Sequence, residues 1–272
     1  MISVITAVYN QLPVNRLYVE NLKRYTHFPY ELIIIDNGSD DGSAEFFERS
    51  GATVIRNGAN YSYPHCQNQG IRAARYDLLA FLNNDLIVGP DWDRLLVESM
   101  RANGLEAVTG CGVEGGGDRS ETRRLKLRWS RIKNLVSLFG QSYTTLKWMH
   151  QWMYHGRWEE FCRERAHRYH GQVAEGFVGH TVLMTRASLE KVGMWDETQQ
   201  GADYDLYLRT KERSMTVGDI RPLHYALDVF VHHYIRLTSR KRPPPFVDRA
   251  NLSSIRAKWG AEKERWADAV KQ

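Results

Sequence analysis

Short apolar runs alternate with longer stretches of helical periodicity through the first hundred positions of the chain. Ile2–Val8, Glu31–Ile35, Thr53–Arg56 and Leu78–Leu82 read as strands. Val14–Thr26 reads as a helix, as does a stretch ending at Arg49, for which Asp40, Asp41 and Ser43 offer N-caps. His65–Arg75 and a segment running from near Pro90 towards Ala102 complete the helical set. This βαβα rhythm predicts an α/β protein with a mostly parallel sheet covered by helices on both faces. After Gly110 the rhythm breaks. Gly112 to Gly117 reads as a mobile loop, and 120–170 as basic, aromatic and helical. A second organised region runs from Glu175 to Ser239, with Thr181–Thr185 as a strand. Arg240–Pro245 reads as a stiff basic linker, and 248–272 as a polar terminal helix. The expected divisions are therefore 1–110, 111–173, 174–239 and 240–272.

Composition narrows the class without naming a chemistry. The 272 residues are 42% hydrophobic and 25% charged, ordinary for a globular protein that buries a core. No apolar run approaches the ~18 residues a membrane span needs. The N-terminus reads as a strand, with neither the basic leader nor the small-residue cleavage site of a signal peptide. Cys66, Cys111 and Cys162 are few, odd in number and widely spaced, which argues for a reducing cytoplasm and against a disulfide framework or a zinc site. The net charge of +5 is unevenly placed: Arg119 to Arg168 holds twelve Lys and Arg against four Glu. The surplus of positive charge belongs to that one segment.

Three strand ends carry candidate chemistry. Leu78-Leu-Ala-Phe-Leu-Asn-Asn-Asp85 is an apolar run that stops at two amides and a carboxylate, the way an open α/β sheet presents polar groups to a ligand. A lone carboxylate there suits a hard divalent cation, Mg²⁺ or Mn²⁺, bridging a diphosphate. Asp36, at the end of another strand and before a glycine turn, can accept from the imino N–H of a pyrimidine base. The alternative is an Asx turn that only caps the next helix. Thr6-Ala-Val-Tyr-Asn10 lacks both the dinucleotide glycine fingerprint and the P-loop, so a glycine loop cradling phosphate is not expected.

Taken in order, Thr6-Ala-Val-Tyr-Asn10, Asp36-Asn-Gly-Ser-Asp-Asp-Gly-Ser43, Asn68-Gln-Gly70 and Phe81-Leu-Asn-Asn-Asp85 resemble the nucleotide-binding half of family 2 glycosyltransferases with the GT-A fold. The resemblance continues in Gly193-Met-Trp-Asp-Glu197, Gly201-Ala-Asp-Tyr-Asp-Leu-Tyr-Leu-Arg209, Asp228-Val-Phe-Val-His-His233 and Ala257-Lys-Trp-Gly260. It implies a nucleotide-diphosphate sugar donor, a divalent metal and transfer with inversion. It implies that Ala7, Tyr9, Asn10, Asp36, Asn68, Asn83 and Asn84 line the nucleotide, and that Asp85 holds the metal with a histidine. Either His232 or His233 fills that role, since a strand points them to opposite faces; His233 is preferred. The resemblance implies Asp203 as the base that deprotonates the acceptor hydroxyl. Asp205 is its support, four residues from Arg209 and so within reach of an ion pair. The family usually writes Glu-Asp-x-Asp where this chain has Ala202-Asp-Tyr-Asp205, so a non-catalytic sugar-nucleotide or glycan-binding module is the competing reading. Gly179 and His180 occupy the acceptor-side loop, and Trp195 offers a ring to a sugar face. The setting implied is bacterial surface-polysaccharide assembly on a glycan or lipid-linked glycan.

No family motif is visible between Arg119 and His170. Trp148, Met149, Trp152 and Met153 form an apolar stripe at helical spacing, and Trp129 and Trp158 add to an aromatic, cationic surface. One reading is a peripheral contact with the inner face of the cell membrane. The other is packing on the catalytic domain or on a second subunit. Nucleic-acid binding through this patch is the least favoured alternative.

Overall fold

The computed structural model describes residues 1–116, 118–234 and 244–270. The chain opens with β1 (Ile2–Val8), α1 (Leu12–Tyr25), β2 (Tyr30–Asp36), α2 (Ser43–Arg49), β3 (Thr53–Arg56), α3 (Tyr63–Ala73) and β4 (Leu78–Leu82). These four strands pair in parallel in the order β3-β2-β1-β4. Their side chains alternate between two cores, which is why the strands read as continuous apolar runs. Ile2, Val4 and Val8 of β1 join the cluster beneath α1, whereas Ile5 joins Ile33, Ile35 and Phe81 beneath α3. The polar residues of β1 are satisfied inside: Ser3 donates to Glu31 (2.6 Å) and Thr6 bonds the Tyr18 hydroxyl (2.6 Å).

The second half departs from the parallel expectation. It adds β5 (Leu86–Val88), α4 (Trp92–Ala102), β6 (Ala107–Gly112), α5 (Arg119–Val136), α6 (Tyr143–Tyr154), α7 (Trp158–Arg168), β7 (Val173–Glu175), β8 (Thr181–Thr185), α8 (Arg186–Val192), α9 (Ala202–Thr216), β9 (His224–His233) and α10 (Ile255–Val270). Here β8 runs antiparallel to both β4 and β6, and β9 is parallel to β6 but antiparallel to β5 and β7. Among the described residues the result is one mixed sheet of nine strands with helices on both faces. It is parallel only through its first four strands and the β6–β9 pair.

Several boundaries differ from expectation. The glycine segment after β6 is a tight turn, with Gly112 and Gly115 exchanging backbone hydrogen bonds (2.9 and 3.3 Å) and Val113 buried. Helix α10 begins at Ile255, after a 3-10 turn at Arg249–Asn251. Arg240 to Pro243, most of the expected linker, lies outside the described residues, while the Pro244 carbonyl accepts from Asn60 (2.6 Å). Helices α5 to α7 share a core with the sheet: Trp129, Met149, Met153 and Trp158 pack with Ile87, Phe230 and Tyr234. Trp129 and Trp158 are therefore interior residues and form no part of a surface. Only Trp148 and Trp152 of the expected stripe face outward.

Gly70 lets α3 approach β1. A Cβ at this position would lie 2.2 Å from the Ile5 Cγ2 and 3.2 Å from the Ile35 Cδ1. Gly70→Ala is expected to lower unfolding free energy by roughly 1–3 kcal/mol through overpacking, read as a shift in the urea midpoint at constant slope.

Candidate active site

The register of β5 on β9 assembles the centre of the site. Leu86 pairs with His233 and Ile87 with His232, and the Tyr234 N–H donates to the Asp85 carbonyl (3.0 Å). Asp85 and His233 are thus held side by side, and His233 Nε2 lies 3.1 Å from Asp85 Oδ1. Its Nδ1 bonds the Glu114 carboxylate at 2.7 Å. Burial opposes a charged ring, but the Asp85 and Glu114 carboxylates outweigh it and raise the His233 pKa to about 10. The two carboxylates thus favour the protonated ring of His233 between them. His232, one residue away, points to the opposite face. It is fully buried, bonds the Tyr154 hydroxyl (3.0 Å) and packs edge-on against Trp129 and Tyr234, and burial keeps it neutral. The structure therefore places His233 alone beside Asp85. Glu114, which sequence reading passed over inside the glycine segment, joins them. Its only signal was a lone carboxylate among the glycines.

Among the described residues, no three His, Cys, Asp or Glu side chains converge as a metal cage. Asp85 and His233 fit a cation that takes few protein ligands and completes its shell with phosphate oxygens and water, as Mg²⁺ and related ions do.

The ends of β1, β2 and β4 are tied by a buried amide network. Asn84 donates to Asn15 (2.7 Å), whose own amide donates to Ser43 (2.8 Å) and to the Asn10 carbonyl (3.0 Å). Asn10, in the left-handed region, accepts the Asp40 N–H (2.9 Å) through its side chain. Asn10 and Asn84 thus shape the strand ends, while Asn83 lines the cleft described below. Ala7 and Tyr9 are half-buried at the end of β1. Asp36 accepts the Ser39 N–H (3.1 Å) at Oδ2; its Oδ1 is buried and has no hydrogen-bond partner among the described residues. A buried carboxylate oxygen left without a donor is costly, and a ligand N–H would satisfy it.

Beside this end of the sheet opens a cleft of about 310 Å³ lined by Asn83, Glu114, Gly179, His180, Asp203 and His233, among others. Asp203 lies in the first turn of α9, and Gly179 admits it: a Cβ on Gly179 would stand 2.9 Å from Asp203 Oδ2. His180 is buried, bonds the Thr181 hydroxyl (2.8 Å), and its ring centre lies 5.2 Å from that of His233.

Three expected site residues serve the scaffold. Asp205 is buried, with Oδ2 on Arg209 (2.7 Å) and Oδ1 on Lys258 (2.6 Å) and the Trp259 indole (2.9 Å). It clasps α10, which accounts for the Ala257-Lys-Trp-Gly260 motif. Asn68 spends its amide on Trp195 O (2.8 Å), Glu197 (2.8 Å) and the Trp195 N–H (3.0 Å), so nothing of it remains for a nucleotide. Trp195 is buried edge-on against Tyr63 and Phe81 and presents no face to a sugar.

The family model "Glycosyl transferase family 2" matches residues 3–193, and the chain belongs to that family. It is 30% identical over 116 residues to "Uncharacterized glycosyltransferase EpsJ" of Bacillus subtilis, covering 41% of this chain and 33% of that protein. "Putative glycosyltransferase EpsH" of the same organism is 30% identical over 95 residues, covering 34% and 28%. The chain thus spans about a third of the length of these relatives. A mannosyltransferase, PcManGT from Pyrobaculum calidifontis, solved with GDP-Man and Mn²⁺, superposes with a TM-score of 0.58 at 15% identity, over 87% of this chain and 57% of that one. GalNAc-T7 with UDP, GalNAc and Mn²⁺ gives 0.56 at 14% identity, over 86% and 43%. These likenesses bear out the fold expected from the motifs, that of GT-A glycosyltransferases.

Replacing Asp205 by Ala removes the buried carboxylate that Arg209 and Lys258 share. Asp205→Ala is expected to lower unfolding free energy by about 3 kcal/mol, at the lower end of the cost of a broken buried ion pair because Lys258 keeps Asp196 (2.6 Å). Chemical denaturation reads the loss, and a stability unchanged from wild type would return Asp205 to the catalytic set.

Proposed function

We propose that the chain is a metal-dependent, inverting glycosyltransferase that moves a sugar from a UDP- or dTDP-sugar to a hydroxyl of a glycan or lipid-linked glycan. The observation that carries this reading is the gathering of Glu114, His233 and Asp203 on one cleft at the strand ends, with Asp85 paired to His233. The setting is bacterial surface-polysaccharide assembly at the inner face of the cell membrane. The bacterial source of these glycosyltransferase relatives and three buried, free cysteines support that assignment.

Asp36 takes the N–H of the base on its unsatisfied oxygen, beside Tyr9 and Ala7. Asn83 faces the diphosphate. Asp85 and His233 hold Mg²⁺ or Mn²⁺, which when bound offsets the charge left on the departing diphosphate. Glu114 holds His233 Nδ1, so that Nε2 is aimed at the cation. Asp203 removes the proton of the acceptor hydroxyl as that oxygen bonds to the anomeric carbon on the face opposite the diphosphate. The bond from that carbon to the diphosphate breaks in the same step, and its electron pair leaves with the nucleotide. Gly179 leaves Asp203 room at the cleft wall, and His180 backs the acceptor side.

Two measurements test these assignments. With Mn²⁺ and a nucleotide-sugar panel, Asp203→Asn is expected to slow donor hydrolysis and transfer by at least about 100-fold with nucleotide affinity unchanged. Equal rates would remove Asp203 as the base and favour a binding module. In the absence of donor, Glu114→Gln is expected to weaken Mn²⁺ binding roughly 10- to 100-fold by calorimetry. Unchanged affinity would free His233 from its dependence on Glu114.

A further inference from the structure

Half of the large apolar side chains left exposed among the described residues fall between Leu127 and Trp152. At the junction of α5 and α6, Leu138 is 81% exposed, Phe139 76%, Trp148 61% and Trp152 59%. Met149 and Met153, one position along α6, are fully buried, so helix geometry aims the two tryptophans outward together. Phe139, Trp148 and Trp152 line an apolar cleft of about 360 Å³. Trp152 also borders a second cleft whose wall carries Arg123, Arg124, Arg128 and Arg131. Helix α5 holds seven Lys and Arg against one acid, Glu121, which is bound to Arg165 (2.8 Å). An apolar aromatic tip thus adjoins a band of arginines.

We infer that this face of the insertion docks onto an anionic bilayer surface. Tryptophan and phenylalanine partition to the depth where acyl chains meet headgroups. The arginine band lies where lipid phosphates would be, and each cation near an anionic leaflet adds attraction. A second copy is the poorer occupant: a two-fold contact through this face would set the arginines of each copy against those of the other. The opposite side of the insertion rests on the strand of the site, for Trp129 packs on His232 at 4.7 Å between ring centres. Docking would therefore hold the catalytic cleft at a fixed station relative to the lipid surface, where a lipid-linked acceptor presents its hydroxyl. The docking surface rests on the transferase reading only for that purpose, not for its existence.

The test is co-sedimentation of the full chain with phosphatidylcholine vesicles, with and without phosphatidylglycerol, at low and physiological salt. Wild type is expected to partition onto the anionic vesicles with a blue shift of tryptophan emission. The variant Phe139→Ser/Trp148→Ser/Trp152→Ser is expected to lose binding and the shift. Arg123→Gln/Arg128→Gln/Arg131→Gln is expected to lower partitioning by roughly a hundredfold and to erase the preference for anionic lipid. Circular dichroism and nucleotide binding in solution check that each variant is folded, and donor hydrolysis in solution reads the transferase assignment separately. Wild type remaining in the supernatant at low salt would overturn the inference. So would binding indifferent to both variants, a dimer that the apolar variant dissolves, or salt-dependent nucleic-acid binding without vesicle binding.

Discussion

The site depends on the antiparallel register of β5 against β9. Strand pairing is an all-or-none specification: a slip of one residue turns every side chain to the other face. In the observed register Asp85 and His233 emerge as neighbours, and His232 turns into the aromatic core of the insertion. A slip of one residue would turn His233 in towards Trp129 and Tyr154 and turn His232 out in its place, without the Glu114 carboxylate bond that His233 now makes. The burial of Ile87 opposite His232 and of Val88 opposite Val231 holds this arrangement. The chemistry at the sheet end thus rests on hydrophobic burial a few ångströms away.

The remaining parts of the site are fixed by tethers between distant segments. The Asn84–Asn15–Ser43 network, with Asn15 also on the Asn10 carbonyl, ties the ends of β4 and β1 to the helices that follow β1 and β2. Asn68 pins the Trp195–Glu197 turn to α3, and Asp205 draws α10 onto α9. These groups were buried at the cost of desolvation, and each has its hydrogen-bonding capacity met. Asp36 Oδ1, at the end of β2, is by contrast a buried carboxylate oxygen without a donor among the described residues, as is Glu106 Oε2 just before β6.

The parallel half of the fold was legible because its strands are buried on both faces and end in turn residues. Leu78–Leu82 was read to the residue. Strands β5, β6 and β7 were not legible: β5 and β7 have three residues each, and β6 pairs with β8 and β9, far along the chain. The mixed direction of the sheet follows from those long-range pairings and leaves no local mark. The motifs drew attention to Asp85, His233 and Asp203, which the structure sets around the cleft and its rim. Asn68 and Trp195 were misplaced because a motif records that residues belong together, and here the bond is to each other rather than to a ligand. Glu114 was hidden in a glycine segment whose compact turn depends on contacts with Cys111 and His180. The Trp148-Met149 and Trp152-Met153 pairs share one helical stripe in sequence, and only the packed structure separates the inward methionines from the outward tryptophans.

Diffraction from crystals of the protein soaked with Mn²⁺ and a nucleoside diphosphate, recorded at a wavelength where manganese scatters anomalously, locates the cation. An anomalous peak is expected within coordination distance of an Asp85 carboxylate oxygen and His233 Nε2, with the base N–H on Asp36. A peak elsewhere, or a diphosphate bound while Asp85 and His233 remain paired through their proton, would contradict that placement.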